Sequence, residues 1–174
     1  MNNTFTYRMG AGFPGDVNRT HPVSIEPCTV SASNPPDAYG QGVVLDSTTG
    51  TVKKITNESG TQALYGITVR PYPAQQTTTS SFCGAVDGNI APPTTGVVDV
   101  LRTGYIIVAL NTGASGATYR GQAVYVCNSA TTGHVVGVFE NNTSTSAAIL
   151  VSNAIFNSAS DASVDHITEI AFNV

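Results

Sequence analysis

The residues with the richest chemical potential lie near the carboxyl end, where Asp161, Asp165, His166 and Glu169 bring carboxylates and an imidazole close together in the chain. Carboxylate oxygens and imidazole nitrogens are hard and borderline metal donors. Their spacing matches no dedicated site, however, and a solvated loop leading into a last strand accounts for the same residues. Nucleophilic catalysis needs a Ser or Cys beside a base that a third group orients. Serine is so abundant here that its co-occurrence with His21, His134 or His166 says little, and no Gly-x-Ser-x-Gly elbow is present. The glycine-rich stretch GAGFPG at 10–15 lacks the strand-to-helix context of a dinucleotide loop, because Pro14 breaks the required turn. The sequence therefore assigns no catalytic residue, no metal and no cofactor, and an enzyme is not expected.

Other reactive or sticky side chains have structural explanations. Cys28, Cys83 and Cys127 are odd in number, far apart, and set in or beside apolar stretches, as expected of buried free thiols. Tyr65, Tyr105, Tyr119 and Tyr125 offer rings on which a sugar could stack, yet tyrosine in strand-rich segments usually packs a half-buried face with its hydroxyl in water. The glycosylation-type triplets starting at Asn2, Asn18, Asn57, Asn141 and Asn142 follow from a composition rich in Asn, Ser and Thr.

Composition narrows the partners. Charged residues make up 10% of the chain, against a usual figure of about 25%, so Ser, Thr, Asn and Gln must cover most of the surface. With a net charge of −4 and basic groups limited to Lys53, Lys54 and scattered arginines, few phosphates can be neutralised, and no nucleic-acid partner is expected. The chain has no apolar run long enough to span a bilayer, and its first residues, MNNTFTYRMG, lack the basic and apolar regions of a secretory signal. No membrane partner is expected, and synthesis is assigned to the cytoplasm.

The elements that would position these residues are strands. Residues 1–22, punctuated by Gly10, Gly12, Pro14, Gly15 and Pro22, hold no periodicity and read as an extended arm whose Phe5, Tyr7, Met9 and Phe13 find no local core. From Val23 onward come short runs rich in Val, Ile, Thr and Tyr: 23–30, 42–46, 51–56, 63–70, 82–86, 96–102, 104–110, 122–127, 134–139, 147–152 and 164–172. Helix is expected to be minor, a single turn near Ala159. Residues 71–81 and 87–95, rich in Pro and Thr, read as long surface loops.

An internal near-repeat supports the sheet. GQGVVLDSTTGTV at 40–52 and GQAVYVCNSATTGHV at 121–135 share Gly-Gln-x-Val, then Thr-Thr-Gly-x-Val, with two extra residues in the second copy. Each copy reads as a hairpin in which Val43 and Leu45, or Val124 and Val126, alternate toward one face, and Gly50 or Gly133 supplies the positive φ of the reversal. A small apolar strand follows each. Two similar three-strand halves predict an antiparallel β-barrel or jelly-roll-like sandwich with pseudo-symmetry over residues 23–174.

The run FTYRMGAGFPGDVNRTHPVSIEP at 5–27, with the GQAVYV hairpin at 121–126, resembles the structural cement proteins of tailed bacteriophages. That resemblance implies a β-rich body that assembles as a homodimer or homotrimer on the outer surface of the capsid, in the virion. Its arm would lie across neighbouring subunits of the major capsid protein, with Phe5, Tyr7, Arg8, Met9, Phe13 and Arg19 as the capsid-binding residues. An arm of about 20 residues at about 3.3 Å each spans ~60 Å, enough to touch more than one subunit. The alternative is a carbohydrate- or receptor-binding module of a phage tail structure, which would share the uncharged all-β composition.

Overall fold

The structure, a computed structural model, describes residues 12–56, 63–71, 91–112, 117–141, 148–161 and 166–174. In chain order the strands are β1 (Ser24–Thr29), β2 (Gly42–Leu45), β3 (Val52–Lys54), β4 (Gly66–Thr68), β5 (Val97–Ala109), β6 (Ala117–Thr118), β7 (Ala123–Cys127), β8 (Phe139–Glu140), β9 (Ala148–Phe156), β10 (Ser160–Asp161) and β11 (Ile167–Phe172). The fold is all-β, and no helix occurs among the described residues. The helical turn expected near Ala159 is replaced by a short extended pairing of β10 with β6. There the Ser158 hydroxyl accepts from the Glu169 amide and meets the Thr168 hydroxyl, a local alternative to helical hydrogen bonding.

The strand order β3-β2-β4-β5-β11-β9-β7-β8 reads as two equivalent halves placed back to back. In the first, β2 pairs with β3 on one side and β4 on the other. In the second, β7 does the same with β8 and β9. The correspondence extends to single bonds. Val30 bridges Val52 in parallel and Leu110 bridges Phe139 in parallel, and the following residues donate alike, Ser31 N to Val52 O at 2.9 Å and Asn111 N to Phe139 O at 3.0 Å. Each half thus curls on itself, the first closing through β1 on the early part of β5, the second through the late part of β5 on β11.

The Gly-Gln dipeptide shared by the two copies has the same job in both. The buried Gln41 side chain accepts from the Asp37 and Ala38 amides at 2.9 and 3.3 Å and donates to Val136 O at 2.7 Å. Gln122 accepts from the Tyr119 amide at 3.1 Å and donates to Asn141 O at 3.0 Å. Gly50 and Gly133 have φ of 69° and 79°, as the hairpin reading requires. The return strand of the second copy differs: it was expected at 134–139 but is only Phe139–Glu140, because residues 131–138 form a longer loop that folds back over the hairpin.

The two runs expected at 96–102 and 104–110 are one strand, β5, with a phase shift in the middle. Val98 and Val100 face one cluster while Leu101, Ile106, Val108 and Leu110 face the other. A strict period of two would put Leu101 and Ile106 on opposite faces. The shift coincides with a bulge, since Ser24 is in register with Thr103 and the next residue, Ile25, with Leu101. Gly104 sits at this point with φ of 142°, and a Cβ there would meet Pro22 O at 3.0 Å.

Two clusters make the core. The smaller, inside the first half, contains Val30, Tyr39, Val43, Val52, Val98 and Val100. The larger fills the second half and also takes in Val44, Ile67, Val69 and Leu101 from the outer face of the first. β2 is therefore buried on both faces. The alternation expected for Val43 and Leu45 fails, because the second half covers Val44 (4% exposed) while Leu45 is 43% exposed at the strand's end. Phe139 and Phe156 are fully buried, each contributing up to about 3 kcal/mol of transfer free energy.

Candidate functional site

The described part of the N-terminal segment is held on the late part of β5 as an added strand. Gly15 N donates to Ile107 O at 2.8 Å, Ile107 N donates to Asp16 O at 3.0 Å, and Val17 bridges Ile106. Gly12 lies against Ile107, where a Cβ would come within 2.6 Å of Cδ1. The Asp16 carboxylate accepts from the Phe13 amide at 3.0 Å, closing a tight turn at Pro14–Gly15. The Arg70 guanidinium stacks on the Phe13 ring, 4.5 Å from its centroid.

Further along, Glu169 of β11 gathers the segment's polar side chains. Its carboxylate accepts from Asn18 Nδ2 at 2.5 Å, from Arg19 Nε at 3.1 Å and Nη2 at 2.9 Å, and from Asn157. The Arg19 guanidinium also stacks over Tyr105, 4.4 Å from the centroid. Burial pushes the Glu169 carboxyl up, but the hydrogen bonds from Arg19, Asn157 and Asn18 and the Arg19 charge outweigh it and hold the group below the usual carboxylate range. The arrangement is an anchor: a buried carboxylate from the last strand fixes a segment about 150 residues away in sequence.

Of the six residues expected to bind a partner, Phe13 is 42% exposed and the Arg19 side chain 47% exposed, both on this anchored segment. Phe5, Tyr7, Arg8 and Met9 lie outside the described residues. Sequence reasoning missed that Asn18, Tyr105, Asn157 and Glu169 position Arg19. The only available signal is a lone acid in an otherwise apolar final strand, Glu169, which the sequence reading places with Asp161, Asp165 and His166 in a solvated loop leading into that strand. Glu169 instead lies within β11 and serves Arg19, and His166 takes a positive φ of 49° and accepts from the Leu110 amide through its carbonyl. Asp165 and the Asp161 side chain lie outside the described residues. Among the described residues no cluster of three His, Cys, Asp or Glu side chains is arranged to hold a metal.

A second buried polar cluster lies under the 131–138 loop. Glu140 Oε1 is 2.7 Å from His134 Nδ1 and accepts from Asn111 Nδ2 at 2.7 Å, while Asn111 Oδ1 accepts from the Val135 amide at 2.8 Å. Cys127 stands beside them, and its thiol donates to Ser129 O at 3.2 Å. Burial pushes this thiol up, and Glu140 adds to the effect. Burial, then Glu26, pushes the half-buried Cys28 thiol up as well. Neither is a poised thiolate. The cluster pins the long loop to the hairpin. Cys83 lies outside the described residues.

The tyrosines form no common platform. Tyr65 is stacked by Arg102 at 3.6 Å and donates to Glu26 at 2.8 Å, Tyr105 is covered by Arg19, Tyr119 lies in the turn after β6, and Tyr125 is on β7. A cleft of about 420 Å³ between the halves is lined by Tyr65, Arg102, Leu150 and Asn153, with no carboxylate, imidazole or thiol in its wall among the described residues.

Fold and site together define an all-β protein in which two buried carboxylates, Glu169 and Glu140, hold a terminal segment and a loop against a double curled sheet. A family model for the XM1 gp53 minor capsid protein matches residues 1–172, and the chain belongs to that family of phage minor capsid proteins. Among solved structures, a chain of the capsid of Myoviridae phage XM1 superposes with a TM-score of 0.69 at 18% identity, covering 99% of this chain and 97% of that one. At that identity the likeness carries the fold. A comparison with curated proteins finds no match. The protein is accordingly a structural component of a phage capsid, a constituent of the virion.

Proposed function

We propose that the protein is a cement protein: it binds the outer surface of the major capsid protein shell and stabilises the head by bridging neighbouring subunits, as a homodimer or homotrimer. The observation that carries this reading is the anchored segment. Main-chain bonds to Ile107 and the Arg19–Glu169 contact fix residues 12–19 on the body, so the residues preceding them start from a rigid platform. Phe5, Tyr7, Arg8 and Met9, with the half-exposed Phe13, would then supply the apolar and cationic contacts to the shell, while Arg19 sets the direction of the arm. A pre-anchored arm loses less freedom on docking than one tethered by a free chain. Attachment outside the shell also suits a net charge of −4, which packaged DNA would repel.

The capsid family match favours this reading over a tail receptor module, whose tyrosine platform has no support. The test is co-sedimentation of the protein with expanded, undecorated heads of its phage, comparing the full chain with one lacking residues 1–11, which keeps every described anchor. Saturable binding by the full chain at a fixed ratio to capsid subunits, lost at least tenfold in the truncated chain, is expected. Equal binding by both would refute the arm, and no binding by either would refute the cement role.

A further inference from the structure

The two halves also correspond in how their first strands open to the outside. Val30 N donates to Gly96 O at 2.9 Å as Leu110 N donates to His166 O at 2.7 Å. Counting back from these bonds, Pro27 opposite Asp99 matches Ile107 opposite Glu169, and Ile25 opposite Leu101 matches Tyr105 opposite Ala171. In the second half this edge and face are covered by the chain's own residues 12–19. Gly15 and Asp16 bond the main chain of Ile107, and Arg19 lies over Tyr105 and bonds Glu169. Ile107 is left 1% and Glu169 4% exposed.

In the first half no described residue takes the matching place. Bonded pairs recur at every second residue of an antiparallel ladder. The Val30–Gly96 bond therefore makes Cys28–Val98 and Glu26–Val100 the bonded pairs and turns the main-chain groups of Ile25, Pro27 and Thr29 away from β5. Among the described residues no strand pairs with that outer edge of β1. On the face beside it Ile25 is 42% and Val97 59% exposed, and Pro27, Thr29 and Asp99 are exposed as well, up to the buried Leu101 at its end. Among the described residues none bonds the Asp99 carboxylate.

We infer that the outer edge of β1 receives an extended strand from a subunit of the capsid shell, which pairs with Ile25 and Thr29 and brings a basic side chain to Asp99. Residues 12–19 show the form of such an occupant, with main-chain bonds along the edge and an arginine on the acid. Those residues are engaged with β5 of their own chain, so the occupant comes from a different protein. A second β1 is a poor partner. Pro27 has no N–H, so two such strands paired about it lose their central bonds, and the pairing brings two Asp99 side chains of like charge together. A shell strand forgoes only the donor at Pro27, keeps the Pro27 carbonyl and both main-chain groups of Ile25 and Thr29, and can carry the opposite charge. The inference rests on the proposed cement role, which makes the shell the source of the strand, and it gives the body a contact separate from the arm.

The test uses the full chain, Asp99→Lys and the milder Asp99→Asn, each with expanded, undecorated heads. The Asp99 side chain is exposed and unbonded among the described residues, so both variants should unfold at the wild-type midpoint. Head affinity should fall about tenfold or more in Asp99→Lys and by less in Asp99→Asn. In head-bound wild type the outward amides of Ile25 and Thr29 should exchange about tenfold or more slowly than in the free protein. A wild type that saturates heads while these amides stay unprotected, or an Asp99→Lys variant of full affinity, overturns the inference and leaves the cement role standing. Absence of head binding by the wild type removes both.

Discussion

Replacing Glu169 by glutamine isolates the anchor. The substitution keeps the shape of the side chain but removes the charge that receives Asn18, both Arg19 donors and Asn157, and it turns one acceptor into a donor facing donors. A hydrogen bond to a charged group contributes about 1.5–3 kcal/mol net. Arg19 is half exposed and recovers water when released, and Asn157 belongs to the body and keeps its bond when the segment detaches, so only the Asn18 bond, weakened rather than lost, enters the sum. The result is about 1 kcal/mol, an increase of about fivefold in the fraction of molecules whose segment is detached. Trypsin reads this population through cleavage after Arg19 when opening and closing outpace proteolysis. Cleavage should accelerate about fivefold in the variant while the Phe139 core stays folded. Equal cleavage rates in the two proteins would show that Glu169 does not hold the segment. The pH dependence has a definite sign. Because hydrogen bonding holds this carboxyl below its usual range despite burial, its contribution is complete above the ordinary glutamate pKa of about 4.3 and drains away as pH falls toward the lower folded value. Protection of the Ile107 amide, bonded to Asp16 O, should fall over that window in the wild type and respond little in the variant.

Three further substitutions probe the rest of the fold. Gly104→Ala places a Cβ 3.0 Å from Pro22 O at a φ of 142° and should cost about 2 kcal/mol in urea unfolding; a neutral result would mean that the bulge relaxes freely. Glu140→Ala leaves His134 and Asn111 buried without their acceptor and should cost about 3–5 kcal/mol, with an accompanying loss of amide protection across 131–138. Gln41→Ala strips the acceptor from two amides at a site 1% exposed and should cost about 3 kcal/mol, against about 1 kcal/mol for the half-buried Gln122→Ala; equal unfolding midpoints would contradict the difference in burial.

Much of this architecture was legible because β-strands write a local signature. Val-, Ile- and Thr-rich runs between Gly and Pro located most of the strands, and the Gly-Gln and Thr-Thr-Gly repeat disclosed the two halves. Errors fell where a tertiary constraint overrides local pattern. Nothing local distinguishes the bulge in β5 from a turn between two strands, since Gly104 serves either. Val135 matches Val52 by motif, yet Phe139 takes the paired position, because the buried Glu140, His134 and Asn111 cluster supports a longer loop. The anchor was illegible for a different reason: Asn18 and Arg19 are separated from Glu169 by nearly the whole chain, and only the folded sheet brings them together.

The same comparison explains why a duplicated fold is not a symmetric one. A half-sheet of this kind exposes an outer apolar face, and a single chain can cover only one of its two such faces with the other half. The first half spends its outer face on the larger core through Val44, Ile67 and Leu101. The second half has part of its outer surface closed by residues 12–19 and part by the 131–138 loop, through Ile107, Glu169 and Glu140. Residues 12–19 lie outside the shared repeat pattern, whereas the loop grows out of its Thr-Thr-Gly-x-Val motif and runs on to Val138, and both additions are pinned by a buried carboxylate, Glu169 and Glu140. With them in place the second half keeps Ala123 and Tyr125 half-buried and leaves Leu150 and Ile155 exposed.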